Sequence, residues 1–155
     1  TAHPDRLSPD LGGYALADAA SLLRPWDRAL GDDRSRRDPA VAEAYVREAL
    51  ASDPQSGRTV PPSLRVPLGA LEDSFFQAAG RRIYDAGTIT AAVLLVRGSA
   101  DFWSRPEDLQ AFAHDAVHAR SMHVVEIPGG THFLHLERAS AGRAQLLEVL
   151  GDALR

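Results

Sequence analysis

The chain has 155 residues, 45 % of them apolar and 25 % charged, enough for one globular domain with its own core. A formal charge of −4, with no basic stripe, argues against a nucleic-acid or anionic-membrane partner, and no apolar run approaches the ~20 residues of a membrane span. The absence of cysteine removes disulfides, thiolate metal sites and thiol nucleophiles; with no signal peptide opening the chain, a cytoplasmic setting is the default expectation.

In chain order, residues 1–13 combine prolines and glycines and predict a loop or entering arm. Tyr14–Leu23 reads as a short Ala/Leu helix closed before Pro25, because the residue preceding a proline is pushed out of the helical region. Residues 31–39, GDDRSRRDP, place six charges in nine positions and read as a solvated loop. Asp38-Pro39 then supplies an N-cap and a proline at the first helical position, opening a helix through Leu50 or Ala51. Residues 52–67 hold four prolines and a glycine and read as a linker. Leu71, Phe75 and Ala79 at four-residue spacing predict a third helix over 68–84. Nothing before residue 88 alternates with period two, so residues 1–87 read as a helical cap or lid with its entering arm.

The pattern changes after residue 88. Ala91–Val96 is a nearly all-apolar run rich in branched residues, as in a strand buried on both faces of a parallel sheet. Arg97-Gly98 ends it, and Asp101 follows three residues after the glycine. Ser104-Arg105-Pro106-Glu107 has capping-box form, with Ser104 as N-cap and Glu107 at N3. Leu109, Phe112, Ala113, Ala116 and Val117 form one apolar stripe on the helix that follows. His123–Ile127 reads as the second strand, stopped by Pro128-Gly129-Gly130. His132 then falls at the carboxyl edge of the sheet, where ligands bind in open α/β folds. Residues 136–154 predict a terminal helix whose buried stripe is Leu146, Leu147, Leu150, Ala153 and Leu154. Residues 88–155 are thus a β-α-β-α core, and the fold class is α/β.

VLLVRGSADFW, then a helix, then VVEIPGGTHFLHLE resembles the C-terminal part of the α/β-hydrolase fold superfamily over about residues 88–155. The preceding helical region is similar to the cap that many members insert before their last two strands. The resemblance implies that Asp101, in Gly98-Ser99-Ala100-Asp101, is the catalytic acid. It likewise implies that His132, in Pro128-Gly129-Gly130-Thr131-His132, is the general base. Thr131 stands where the family commonly has glycine, which makes this loop stiffer. Asp5 and Asp10 are the alternative acids, since some members place that residue earlier.

No G-x-S-x-G elbow and no oxyanion-hole loop is present, so the resemblance covers part of a parallel sheet that is incomplete on its own. Two parallel strands also cannot form an independent sheet, since their edges and faces stay open. The expected partner is an N-terminal half of the same enzyme on a second chain, carrying the nucleophile. The Thr1 hydroxyl is compatible with self-cleavage, and ordinary proteolysis before the cap gives the same start.

The implied activity is that of a serine hydrolase cleaving a carboxylic ester, thioester or related small acyl substrate through an acyl-enzyme, without cofactor or metal. Alternatives on the same fold are an aspartate-nucleophile enzyme (epoxide hydrolase or dehalogenase), a C–C hydrolase, an acyltransferase, or a non-catalytic ligand-binding protein. Phe102, Trp103 and Phe133 flank the acid and base and are candidates for an acyl pocket, as well as for core packing. Trp26, Tyr45, Phe75, Phe76 and Tyr84 are further candidates to face substrate. His135 reads as structural and Glu137 as support for the final helix. His114 and His118 are four apart on a helix but lack a third ligand for a metal.

Overall fold

A computed structural model describes residues 12–155; the expectations placed on Thr1, Asp5, Asp10 and most of the entering arm lie outside the described residues. The chain is mixed α/β. Among the described residues there are five α-helices and two two-stranded sheets, one antiparallel and one parallel. No helix among them is long and apolar enough to cross a membrane. They divide into two compact units, one of residues 12–23 and 45–84, the other of residues 24–44 and 85–155.

In the first unit, β1 (Tyr14–Ala17) pairs antiparallel with β2 (Leu64–Pro67), Tyr14 opposite Pro67 and Ala17 opposite Leu64. Both strands fall where the sequence predicts helix or linker. Tyr14 and Leu16 are exposed, so no in–out alternation marks the strand, and the backbone ladder alone defines it. The supposed linker is also anchored. Asp53 is buried and accepts the Arg65 guanidinium at 2.8 and 2.7 Å, together with the Arg65 and Gln55 backbone N–H groups. The Arg65 hydrogen bond holds the Asp53 carboxyl well below the usual range. Helix α3 (Gly69–Ala78) is shorter than the pattern predicts and ends into a turn at Gly80, whose φ is +87°.

Two helices bridge the sequence between the units. α1 (Ala19–Leu30) runs straight through Pro25, against the expected stop. The proline deprives the Ser21 carbonyl of its helical donor, but burial of Trp26 and Leu30 on the following turn outweighs that local loss. α2 (Pro39–Ala51) matches its predicted bounds, and Asp38 caps it by accepting the Ala40 N–H at 3.1 Å.

The second unit is built on β3 (Ala92–Gly98) and β4 (Ser121–Ile127), parallel and in register from Ala92–Ser121 to Gly98–Ile127. Helix α4 (Pro106–Asp115) joins them. It begins one residue later than the predicted cap: Arg105 occupies the N-cap position, and its N–H donates to Asp108 Oδ2 at 2.9 Å. Ser104 is therefore not the cap, because its own N–H is committed to Asp101. The core comprises Trp26, Leu30, Ala42, Ala86, Ala116, Ile127 and Leu134.

Helix α5 (Arg143–Ala153) starts seven residues after the predicted position, and none of its residues is buried. Leu147, Leu150 and Leu154 are exposed, so the expected buried stripe is not covered within the unit. The same holds for β3, expected to be buried on both faces. Only its last two residues, Arg97 and Gly98, are fully enclosed.

Candidate functional site

At the carboxyl ends of β3 and β4 the two backbones continue side by side. Ser99 N–H donates to Ile127 O at 3.0 Å, Ala100 N–H to Gly130 O at 2.9 Å, and Gly129 N–H to Ser99 Oγ at 2.7 Å. Gly98 makes this approach feasible. A Cβ at Gly98 would stand 2.1 Å from Gly130 O and 2.3 Å from its carbonyl carbon, which no side chain tolerates. At Gly130 a Cβ would meet nothing closer than 3.2 Å. Gly129, at φ +69°, turns the chain back toward β3.

This close approach sets the acid loop against the histidine loop. Asp101 is 8 % exposed, and its two carboxylate oxygens have separate tasks. Oδ1 closes the loop by accepting the Trp103 and Ser104 N–H groups at 2.8 and 3.0 Å. Oδ2 lies 2.9 Å from His132 Nδ1. Below the loop, the buried Arg97 guanidinium donates to Asp101 O at 3.0 Å and to Ser104 O, and pairs with Glu126 at 2.6 Å. A strand residue read as a mere terminator thus braces the acid from beneath.

The histidine loop is held from its other side. Glu137 is fully buried. Its Oε1 accepts the Thr131 hydroxyl and the Thr131 N–H, and its Oε2 accepts Arg36 Nε at 3.1 Å and Nη2 at 2.6 Å. Thr131 Oγ1 in turn accepts the Phe133 N–H at 3.1 Å. Thr131 is therefore the anchor that fixes the peptide on both sides of His132, a use a glycine lacks. Glu137 lies in the irregular segment before α5, so it supports the histidine loop and not the final helix. Arg36 falls in the supposedly solvated loop, where it also donates to Ala141 O at 3.1 Å. Sequence spacing gives no sign of a pairing that spans 101 positions.

Burial pushes the Asp101 carboxyl up, but hydrogen bonds from the Ser104 N–H, the His132 ring and the Trp103 N–H outweigh it and hold the group below its ordinary value. A carboxylate facing Nδ1 assigns the proton to that nitrogen, leaving the Nε2 lone pair for chemistry. The His132 side chain is 41 % exposed, and Nε2 has no hydrogen-bond partner among the described residues. His135, three positions on, is held below the usual imidazole range by partial desolvation and by its neighbour His132, against a smaller opposing effect of Glu137.

Of the three aromatics singled out in the sequence, Trp103 and Phe133 touch the imidazole edge-to-face, with ring centroids at 4.7 and 5.6 Å. Phe102 packs on Trp103 at 4.7 Å instead. Phe102 and Trp103 stay 47 % and 49 % exposed beside the histidine, leaving an apolar surface at its open side. Trp26, 1 % exposed, stacks behind Phe133 at 6.3 Å. Tyr45, Phe75, Phe76 and Tyr84 belong to the other compact unit. No group of three or more His, Cys, Asp or Glu among the described residues is placed to hold a metal ion.

Compared with known proteins, the chain matches no family model, no curated protein and no solved structure.

Three outcomes follow from this geometry. Gly98→Ala is expected to destabilise the fold by about 3 kcal/mol or more and Gly130→Ala by about 1 kcal/mol, read by chemical denaturation; equal losses would refute the backbone contact. Glu137→Ala strands the Thr131 donors and the Arg36 charge, and is expected to cost about 3–5 kcal/mol in the same assay. Asp101 is lowered on folding, so the stability it contributes is present above its unfolded pKa of ~3.9 and is lost as pH falls through the lower folded value. The stability gap between the wild type and Asp101→Asn should accordingly narrow below about pH 4. A gap that stays constant through that acid range would remove Asp101 as the responsible group.

Proposed function

We propose that His132 and Asp101 are the base and acid of a serine hydrolase of the α/β-hydrolase type, acting on a carboxylic ester, thioester or related small acyl substrate. The carrying observation is the 2.9 Å contact between His132 Nδ1 and a buried Asp101 carboxylate, with the other ring nitrogen open to a surface lined by Trp103 and Phe133. A histidine serving only to tie down its loop has no need of a dedicated buried acid, since Thr131 and Glu137 already do that work.

In this reading His132 Nε2 takes the proton from a serine hydroxyl as its oxygen bonds to the acyl carbon. The imidazolium, steadied by Asp101, then protonates the departing alkoxide or thiolate as its bond to the acyl carbon breaks. Water repeats the sequence on the acyl-enzyme, giving up a proton to Nε2 and releasing the acid when that proton returns to the serine. Trp103 and Phe133 take the apolar part of the acyl group, and the edge contacts keep the ring upright.

The serine is supplied by a part of the α/β-hydrolase sheet that lies outside these 155 residues. Two features support such additional covering structure: a parallel sheet of only two strands among the described residues, and exposed apolar side chains at Val124, Leu147 and Leu150.

His132→Ala in the assembled protein is expected to abolish turnover of a p-nitrophenyl ester and labelling by a fluorophosphonate, while assembly persists. Activity within about tenfold of the wild type would sink the assignment.

A further inference from the structure

Beside Pro128 and Gly129, at the start of the histidine loop, lies a cavity of about 430 Å³, a volume suited to a small organic ligand. Its lining contains two charged residues, both arginines, and no carboxylate, in a chain whose formal charge is −4. From this we infer that the cavity is a binding site for the phosphoryl group of a small phosphorylated molecule, separate from the acid–base pair and independent of the activity proposed above.

The donors are specific. Arg36 spends Nε and Nη2 on Glu137 and the Ala141 carbonyl. Its remaining nitrogen, Nη1, has no hydrogen-bond partner among the described residues and lies 3.6 Å from where a Gly129 Cβ would stand, at the cavity wall. Arg138 is exposed and held at the same wall by Nε donating to the Ser35 carbonyl at 2.8 Å. That leaves both its Nη groups free of partners among the described residues.

Ser140 and Gln145, with a hydroxyl and a carboxamide between them, are among the residues lining the same space. Glu137, which pairs with Arg36, is fully buried and is not part of the cavity lining, so the cavity surface itself presents no carboxylate. Two guanidinium groups, a hydroxyl and an amide are more donors than a two-oxygen carboxylate can use. A phosphoryl group has three terminal oxygens and a charge near −2 at neutral pH, and it accepts them all.

Calorimetric titration of the full chain with inorganic phosphate, at constant ionic strength set with chloride, tests this. Saturable binding is expected, weakened about tenfold or more by Arg138→Gln through loss of charge-assisted hydrogen bonds. Gln145→Glu is the second variant: it sets a negative charge at the cavity wall, and in the first turn of α5 a carboxylate does not impair the helix. It should abolish binding with the thermal midpoint unchanged or raised. Arg120→Gln, an equal charge change at an exposed arginine elsewhere, should leave the affinity intact. The inference is overturned if phosphate heats do not saturate, if Gln145→Glu binds as the wild type does, or if Arg120→Gln weakens binding as much as Arg138→Gln. Acetate binding as tightly as phosphate would overturn the phosphoryl assignment.

Discussion

The contact between the backbones of Gly98 and Gly130 decides where Asp101 and His132 stand relative to each other. Parallel pairing ends at Gly98 opposite Ile127, and beyond it the two strands would normally diverge into separate loops. Absence of a side chain at residue 98 lets the Gly130 carbonyl occupy the volume a Cβ would fill, so the loops remain hydrogen-bonded for three more residues. An acid and a histidine 31 positions apart in sequence are thereby delivered to hydrogen-bonding distance by main chain, with little left for flexible side chains to arrange.

Around that contact the protein places two buried charges. Arg97 lies under the acid loop and Glu137 behind the histidine loop, each with partners that satisfy it. Buried ion pairs contribute little net stability because desolvation offsets their attraction, whereas removing one partner is strongly unfavourable. Their consequence is specificity of position. Arg97 holds the carbonyls of residues 101 and 104, and Glu137 holds the peptide N–H of residue 131. His132 itself remains partly exposed, so the ring is fixed through its surroundings and its Nε2 is without a hydrogen-bond partner among the described residues.

Arg36 connects the two faces of the histidine loop. One edge of its guanidinium completes the Glu137 anchor, and the other reaches the cavity wall beside Gly129. An anion drawn to that wall would sit two bonded contacts away from Thr131, which holds the peptide on both sides of His132. The short segment from Pro128 to His132 thus borders an arginine-lined cavity at one end and carries the Asp101–His132 contact at the other.

Elements whose signal is local were legible in the sequence. Branched apolar runs gave β3 and β4, Asp38-Pro39 gave the start of α2, and the turns Gly98–Asp101 and Pro128–His132 singled out the aspartate and the histidine that meet. Each depends on residues within a few positions of one another, so composition and spacing suffice to find it. Whatever depends on distant partners was decided by the tertiary structure. β1 exists because β2 pairs with it, α1 continues through Pro25 because Trp26 and Leu30 are buried, and the loop at residues 34–37 is ordered because Arg36 meets Glu137. Sequence alone named Asp101 and His132; that one carboxylate oxygen is free for Nδ1 while the other holds the loop is set by packing, since only the folded chain brings the Trp103 and Ser104 amides and the imidazole to the same acid.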